Sequence, residues 1–351
     1  MSPRPFGVYL HIPFCARRCD YCAFATWTDR HHLQQRYLDA LAADVRRSCD
    51  EPATSVFVGG GTPTLVDPAA LAEAIAAVPT VDGAEVTVEC NPDDVDVAML
   101  RTYRDAGVTR VSIGVQSMAP AVLASLGRWH QPDNVVRAVE AVRAVGLPTW
   151  NLDLIYGGAG ERLADWEQTV RAVLALEPPH VSAYALTVEA GTPLAAQPDR
   201  HPDDDDLADK YELVDELFSA AGLENYEVSN WARPGHECRH NRLYWLQDNY
   251  LGFGSAAHSH RDGRRWWNVR TPERYIAAVE RGEPTEASGE SLDDETRRLE
   301  GLQLALRMRE GVPAVALDLD GLEELVVVEG DRVRLTRSGR LLANEVSLRL
   351  R

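Results

Sequence analysis

Cys15, Cys19 and Cys22 stand in the segment His11-Ile-Pro-Phe-Cys-Ala-Arg-Arg-Cys-Asp-Tyr-Cys, a C-x3-C-x2-C spacing. Three thiolates this close on one loop can each hold one iron of a cubane iron–sulfur cluster. A closed cradle takes four thiolates, so three leave one iron with a position for an outside ligand. An open metal position serves chemistry more than structure, as it does for zinc. A zinc site and unligated thiols are the competing readings, but the spacing is far more specific than a lone C-x-x-C.

Other chemistry-bearing residues follow at intervals. They are Gly59-Gly60-Gly61-Thr62-Pro63, Glu89 with Asn91-Pro92, Gln116-Ser117, Arg128, and Asp153 within Asn151-Leu-Asp-Leu-Ile-Tyr-Gly. A glycine triplet lets backbone approach a ligand and offers N–H donors. Taken singly, each is weak: a glycine run is more often a turn, and Glu89 reads equally as a satisfied strand-end charge.

What converges them is the scaffold. Short apolar, β-branched runs at Gly7–Ile12, Ser55–Val58, Glu85–Cys90, Arg110–Val115, Thr149–Ile155 and His180–Leu186 predict strands. Amphipathic stretches between them predict helices over His32–Cys49, Pro68–Val78, Asp133–Val145, Leu163–Leu176 and Asp206–Ala221. Strands alternating with helices imply a parallel sheet with right-handed crossovers. Six such units are too few to close an eight-stranded barrel, so the expected fold is an α/β partial, open (β/α)6 barrel. Ligands of parallel α/β folds bind at the carboxyl ends of the strands. The cysteine loop, the glycine triplet, Glu89, Gln116 and Asp153 all fall at such ends and share one rim.

Beyond about Tyr226 the pattern changes. Tyr226–Trp231 reads as a strand, and His236–Tyr250 as a structured aromatic and polar loop. A glycine-rich turn over Tyr250–His260 follows. Helices are expected over Pro272–Arg281 and Asp294–Arg309, then a hairpin of Leu325–Val328 and Arg332–Leu335, then a helix from Ser338. The expected division is a core over residues 1–225, a bridging segment over 226–285 and a small α+β, winged-helix-like domain over 286–351.

Composition bounds the function. The 351 residues are 45% hydrophobic, enough for a large core. No run of about 18 apolar residues occurs, so no membrane-crossing helix is expected. The N-terminus runs straight into the cysteine segment without the apolar stretch of a signal peptide. Six cysteines, three of them clustered, do not suit a secreted disulfide framework. A cytoplasmic location is expected. Net charge is −18 with no basic patch, which argues against nucleic acid as a partner. The run Asp203–Asp206 reads as solvated charge or a helix start.

The motifs together resemble the radical S-adenosylmethionine (SAM) superfamily. Within it, Tyr9-Leu-His-Ile-Pro-Phe-Cys, Gly-Gly-Gly-Thr-Pro-Thr, Glu89-Cys-Asn-Pro, Gly114-Val-Gln-Ser and Asn151-Leu-Asp-Leu are similar to the family of oxygen-independent coproporphyrinogen III dehydrogenase, which includes HemW-type haem chaperones. The resemblance spans nearly the whole chain. It implies a 4Fe–4S cluster on Cys15, Cys19 and Cys22 whose open iron takes the amino and carboxylate groups of SAM. It also implies a SAM site lined by Tyr9, Tyr21, Gly60, Gly61, Thr62, Glu89, Gln116, Arg128 and Asp153, with Ala185 matching less closely.

Three features resemble the chaperone branch. Phe24 stands where the dehydrogenases carry a fourth cysteine. Only eight residues precede Tyr9, where the dehydrogenases have a long arm. His240-Asn-Arg-Leu-Tyr-Trp245 matches an H-N-x-x-Y-W motif linked with haem binding. The resemblance therefore implies a haem chaperone delivering to acceptor proteins, respiratory ones included, with at most transient membrane contact. Coproporphyrinogen oxidation is the alternative. His240 is the expected iron ligand, with Tyr244 and Trp245 packing on the macrocycle; a structural loop is the plainer reading. Cys238, His258 and His260 are further candidates. Ala23 and Gly158-Ala159 depart from the family pattern.

Overall fold

The computed structural model describes residues 4–351; the first three, part of the segment read for a leader, lie outside the described residues. The first half runs β1 (Phe6–Ile12), α1 (Gln34–Ser48), β2 (Ala53–Gly60), α2 (Pro68–Ala76), β3 (Thr80–Cys90), α3 (Val97–Asp105), β4 (Arg110–Gln116), α4 (Pro120–Ser125), α5 (Pro132–Val145), β5 (Thr149–Tyr156), α6 (Leu163–Leu174) and β6 (His180–Ala185). Each neighbouring pair from β1 to β6 is parallel. Local signals set the helix starts. Asp67 accepts from Ala69 N and Ala70 N with Pro68 in the first turn of α2, and Asp96 accepts from Met99 N at α3. Helices α3 and α4 were not expected from the sequence. Only Leu100 and Tyr103 of α3, and Val122 and Leu123 of α4, are buried, too few to show a helical period.

The second half corrects several expectations. α7 (Asp204–Ala220) begins in the acidic run, with Asp203 accepting from Asp206 N; negative charge at a helix start is favourable. Tyr226–Trp231 is not one strand. It lies in an antiparallel hairpin of β7 (Glu224–Glu227) and β8 (Asn230–Ala232), and β8 pairs with β6. His236–Tyr250 is not a loop. It carries α8 (Arg239–Trp245) and enters β9 (Asn249–Phe253), which lies parallel to β1. β10 (His258–Arg261), β11 (Arg264–Asn268), α9 (Pro272–Glu280) and β12 (Glu286–Ser291) complete the wall. The sheet therefore has 12 strands, ordered β12-β11-β10-β9-β1-β2-β3-β4-β5-β6-β8-β7. Residues 226–285 supply strands to both of its edges, and β12 carries it past residue 286.

The tail folds on its own apolar centre. α10 (Asp294–Ala305), β13 (Val312–Pro313), β14 (Val326–Glu329), β15 (Arg332–Leu335), α11 (Arg337–Leu341) and α12 (Ala343–Ser347) follow. The three strands form an antiparallel sheet ordered β13-β15-β14. Leu306, Val312, Val326, Val333 and Val346 pack beneath it. This is the expected winged arrangement, although the final helix breaks in two. Asp215 of α7 accepts from Arg337 at 2.6 Å and Arg340 at 2.8 Å, tying the small unit to the wall.

Period-two alternation divides each barrel strand. Val8, Leu10, Val56, Val58, Val111, Ile113, Leu152 and Leu154 face the helices with no exposed surface. The other face is polar and its residues fall in register: Ser55 beside Glu85, Glu89 beside Ser112, Ser112 beside Asn151, Asp153 beside Ser182. The inner face is thus a polar column. Helix α8 closes its lower end. No side chain caps α8 from within; Glu85 does so from β3, accepting from Arg239 N and His240 N, each at 3.1 Å. Replacing Glu85 by alanine leaves those buried N–H groups unpaired, at about 1–3 kcal/mol. We expect a lower urea midpoint for Glu85→Ala, with Glu85→Gln in between; an unchanged midpoint contradicts the capping role.

Candidate functional site

At the upper end of the column the strands open into a cavity of about 540 Å³. Cys15, Cys19 and Cys22 line it together with Tyr21, Gly60, Gly61, Thr62, Glu89, Gln116, Arg128, Asp153 and Ala185. Every residue expected at the SAM site is there except Tyr9. Tyr9 sits one layer below, stacked on Phe57 at 6.5 Å, with its hydroxyl 3.0 Å from His11 Nδ1. It supports the site from beneath.

The glycine loop works by close approach rather than by offering donors. Gly60 N donates to Glu89 Oε2 at 3.0 Å. Gly61 N donates to Ile12 O and Thr62 N to Phe14 O, both at 2.8 Å. The backbone N–H groups expected to meet a ligand therefore bind the protein itself. A Cβ at Gly61 would lie 2.5 Å from Phe14 O, and one at Gly60, whose φ is +109°, would lie 2.4 Å from the His11 ring. The glycines let the second loop press against the cysteine loop. His11 completes that join, its Nε2 lying 3.0 Å from Ala25 O just past the cysteines. The sequence reading missed His11; the signal was its parity with Tyr9 on β1.

Arg128 is the clamp across the rim. Its Nη2 donates to Asn91 Oδ1 at 3.0 Å and Gly114 O at 3.1 Å, and its Nη1 points at Cys19 Sγ at 3.7 Å. Thr62 Oγ1 donates to Cys15 Sγ at 3.7 Å. Burial pushes the Cys15 and Cys22 thiols upward, with the Thr62 contact opposing it at Cys15. All six cysteines are free. Among the described residues no three His, Cys, Asp or Glu side chains close on a single metal ion. The three thiols instead stand around a shared space with two donors directed at sulfur. A cubane spreads its thiolates over separate irons, so these residues fit one.

Glu89 and Asp153 give the cavity its charge. Burial, then the proximity of Asp153, raises Glu89 to about 7. Burial raises Asp153 as well, opposed by hydrogen bonds from Ser112 at 2.7 Å and Asn151 at 2.8 Å. Among the described residues no cation pairs with Glu89. A half-buried carboxylate held by a backbone N–H but by no cation favours a positively charged ligand. Gln116 adopts φ +61° where β4 slips register against β5, a strained turn at the rim.

The residues expected at haem do not present themselves. His240 has no exposed surface. Its Nδ1 lies 2.9 Å from Ser55 Oγ and its Nε2 2.9 Å from the Tyr244 hydroxyl, and its ring stacks on Phe57 at 5.5 Å. Burial lowers its pKa to about 3. Both ring nitrogens are engaged within the barrel. It lies at the floor of the column, opposite the cysteines. An aromatic helix that plugs a barrel has the same composition as a binding segment. Tyr244 and Trp245 are partly buried on the same helix. Cys238 is buried with Sγ 3.6 Å from Glu85 Oε1. His260 is buried, its Nδ1 3.0 Å from Asp248 O. Only His258 keeps an exposed ring, stacked on Trp267 at 5.6 Å.

A partial parallel barrel with three free thiols and paired carboxylates at its mouth defines a radical SAM protein, and the model of the Radical SAM superfamily matches residues 9–173. That superfamily implies a 4Fe–4S cluster and SAM. The chain is 42% identical to the haem chaperone HemW of Mycobacterium tuberculosis (strain H37Rv), over 99% of this chain and 95% of that protein. It is 33% identical to HemW of Bacillus subtilis (strain 168), over 97% of each. The chain belongs to the HemW family of haem chaperones. The solved structure of coproporphyrinogen III oxidase from Escherichia coli shares the fold, with a TM-score of 0.85 at 22% identity over 98% of this chain and 89% of that one.

After anaerobic reconstitution the protein should hold about four irons and four sulfides per chain, as a cubane requires. Cys19→Ala should lose them; a full complement in that variant contradicts the cradle.

Proposed function

We propose that the protein binds haem and delivers it to acceptor proteins, on a core that holds a 4Fe–4S cluster and SAM. Its near-full-length likeness to curated haem chaperones carries this reading, and the thiol-rimmed, carboxylate-lined cavity supports the cofactor part. When bound, the cluster and SAM can supply an electron and a 5′-deoxyadenosyl radical. The chain's own residues do the rest. Cys15, Cys19 and Cys22 hold three irons. Thr62 and Arg128 donate toward sulfur. Tyr21, Gly60, Gly61, Gln116 and Ala185 shape the SAM pocket, and Glu89 and Asp153 face its positive groups.

For the floor of the barrel we propose a positioning role. His240, Tyr244 and Trp245 hold α8 in place rather than ligating iron. The proposed acceptors include haem proteins of respiration, and the proposed setting is the cytoplasm with transient membrane contact. Among the described residues no helix is long and apolar enough to cross a membrane.

SAM affinity should depend on pH. Glu89, raised to about 7, must be ionised to attract a cation. Binding to cluster-loaded protein should therefore strengthen as pH rises from about 6 to 8, and Glu89→Gln should flatten the profile. A pH-independent affinity in the unaltered protein contradicts the role. Coproporphyrinogen III should not be converted even with cluster, reductant and SAM, since Phe24 replaces the dehydrogenases' fourth cysteine. Detection of protoporphyrinogen at turnover would move the protein to the oxidase reading. Haem should bind about one to one, and His240→Ala should lower the melting temperature without moving the Soret band. A Soret shift in that variant restores His240 as ligand.

A further inference from the structure

Exposed apolar side chains scattered singly are ordinary, but several brought to one opening mark a binding surface. Among the described residues only three Phe, Tyr or Trp side chains are exposed: Phe24 at 66%, Trp129 at 66% and Tyr184 at 39%. They are far apart in sequence, yet two of them line one cavity and the third contacts an arginine that lines it. Phe24 and Tyr184 line the mouth of the cysteine cavity, as do Arg17 and Arg18. Trp129 joins them through Arg17, whose guanidinium carbon lies 4.5 Å from the indole centre.

The charge at this mouth differs from the rest of the molecule. The chain carries a net −18, and many of its arginines pair with carboxylates. Arg17 and Arg18 are exposed, and among the described residues neither has a carboxylate partner. Arg18 donates to Cys22 O at 3.1 Å, which fixes it against the cysteine loop. Of the nearby acids, Asp20 is taken by Arg200 at 2.9 Å, and Glu189 lines the same cavity without pairing with either arginine. The mouth therefore offers flat apolar faces beside two available guanidiniums. Its complement is a flat, apolar ring carrying two carboxylates, since aromatic faces stack on π-systems and guanidinium forks grip carboxylates. Haem has this shape and charge.

We propose that Phe24, Trp129 and Tyr184 form the stacking platform for haem, with Arg17 and Arg18 holding its propionates, at the mouth of the cavity rather than at α8. The proposal rests on the reading of the protein as a haem carrier. It places the macrocycle over the cavity, so that haem and SAM occupy one channel in series, with haem outermost.

The test uses the full chain with its cluster reconstituted, titrated anaerobically with haem and followed by Soret absorbance and tryptophan fluorescence. Phe24→Ala with Trp129→Ala should weaken haem binding by about tenfold or more. Iron content should stay unchanged, because both side chains are mostly exposed. Arg17→Gln with Arg18→Gln should weaken haem similarly yet leave haem dimethyl ester, which lacks free propionates, unaffected. If the unaltered protein binds haem and both double variants stay within about twofold of it, the platform is wrong and the carrier reading stands. If the arginine variant weakens the ester equally, the propionate contacts are wrong. If the unaltered protein binds no haem, the carrier reading fails and the platform with it.

Discussion

Glu89 lies in a cavity with its carboxylate bonded to Gly60 N at 3.0 Å and, among the described residues, no cation beside it. A carboxylate taken out of water without a partner is costly, and the fold around it explains how the cost is borne. The register that sets Glu89 beside Ser112, and Asp153 beside Ser182, places both acids on the inner face near the cysteine loop. The second loop must then come within contact of the first, which only glycine allows at positions 60 and 61. Arg128 spans Asn91, Gly114 and Cys19 to hold the rim. The geometry is that of a site completed by a cation and a metal cluster rather than by protein groups.

Beneath the cavity the polar column is satisfied throughout much of its length. Asn151 Nδ2 donates to Asp153 at 2.8 Å, and its Oδ1 lies 2.6 Å from His180 Nδ1. His180 Nε2 lies 2.8 Å from the Tyr226 hydroxyl, which accepts from Cys238 N at 3.2 Å. One assignment of protons fits every link: Nδ1–H donates to Asn151, and Tyr226 donates to Nε2. Burial holds His180 well below its usual pKa, consistent with this neutral form. A continuous hydrogen-bonded path therefore joins the Asp153 carboxylate to the start of α8. The H-N-x-x-Y-W helix acts as the barrel's floor. Burying so many polar groups is tolerable because most find a partner, although Thr87 Oγ1 and Arg110 Nε are buried without one.

The sequence was most legible where chemistry and period coincide. The cysteine spacing, the strand-end acids and the six βα units all lie where they were expected, because parallel strands bring their carboxyl ends together. It was least legible where contacts are distant. Helix α8 has no capping side chain of its own, and Glu85 lies over 150 residues upstream. β9 pairs with β1 across nearly the whole barrel core, and nothing local in Asn249–Phe253 announces a partner near the N-terminus. The surroundings of His240 were hidden for the same reason: its residue type suits a ligand, and only the fold shows both nitrogens hydrogen-bonded. Phe24 stands where a fourth cysteine would, and its exposure at the cavity that Tyr184 also lines became visible only once β6 and the cysteine loop shared a rim.

With a cubane bound, three cysteines would leave one iron open toward the carboxylate-lined cavity. The most direct measurement is the electron paramagnetic resonance spectrum of the reduced, reconstituted protein before and after SAM is added. The g-values of the cluster signal should shift when SAM is present, because the ligand reaches the open iron. A cluster signal that SAM leaves unchanged would contradict it.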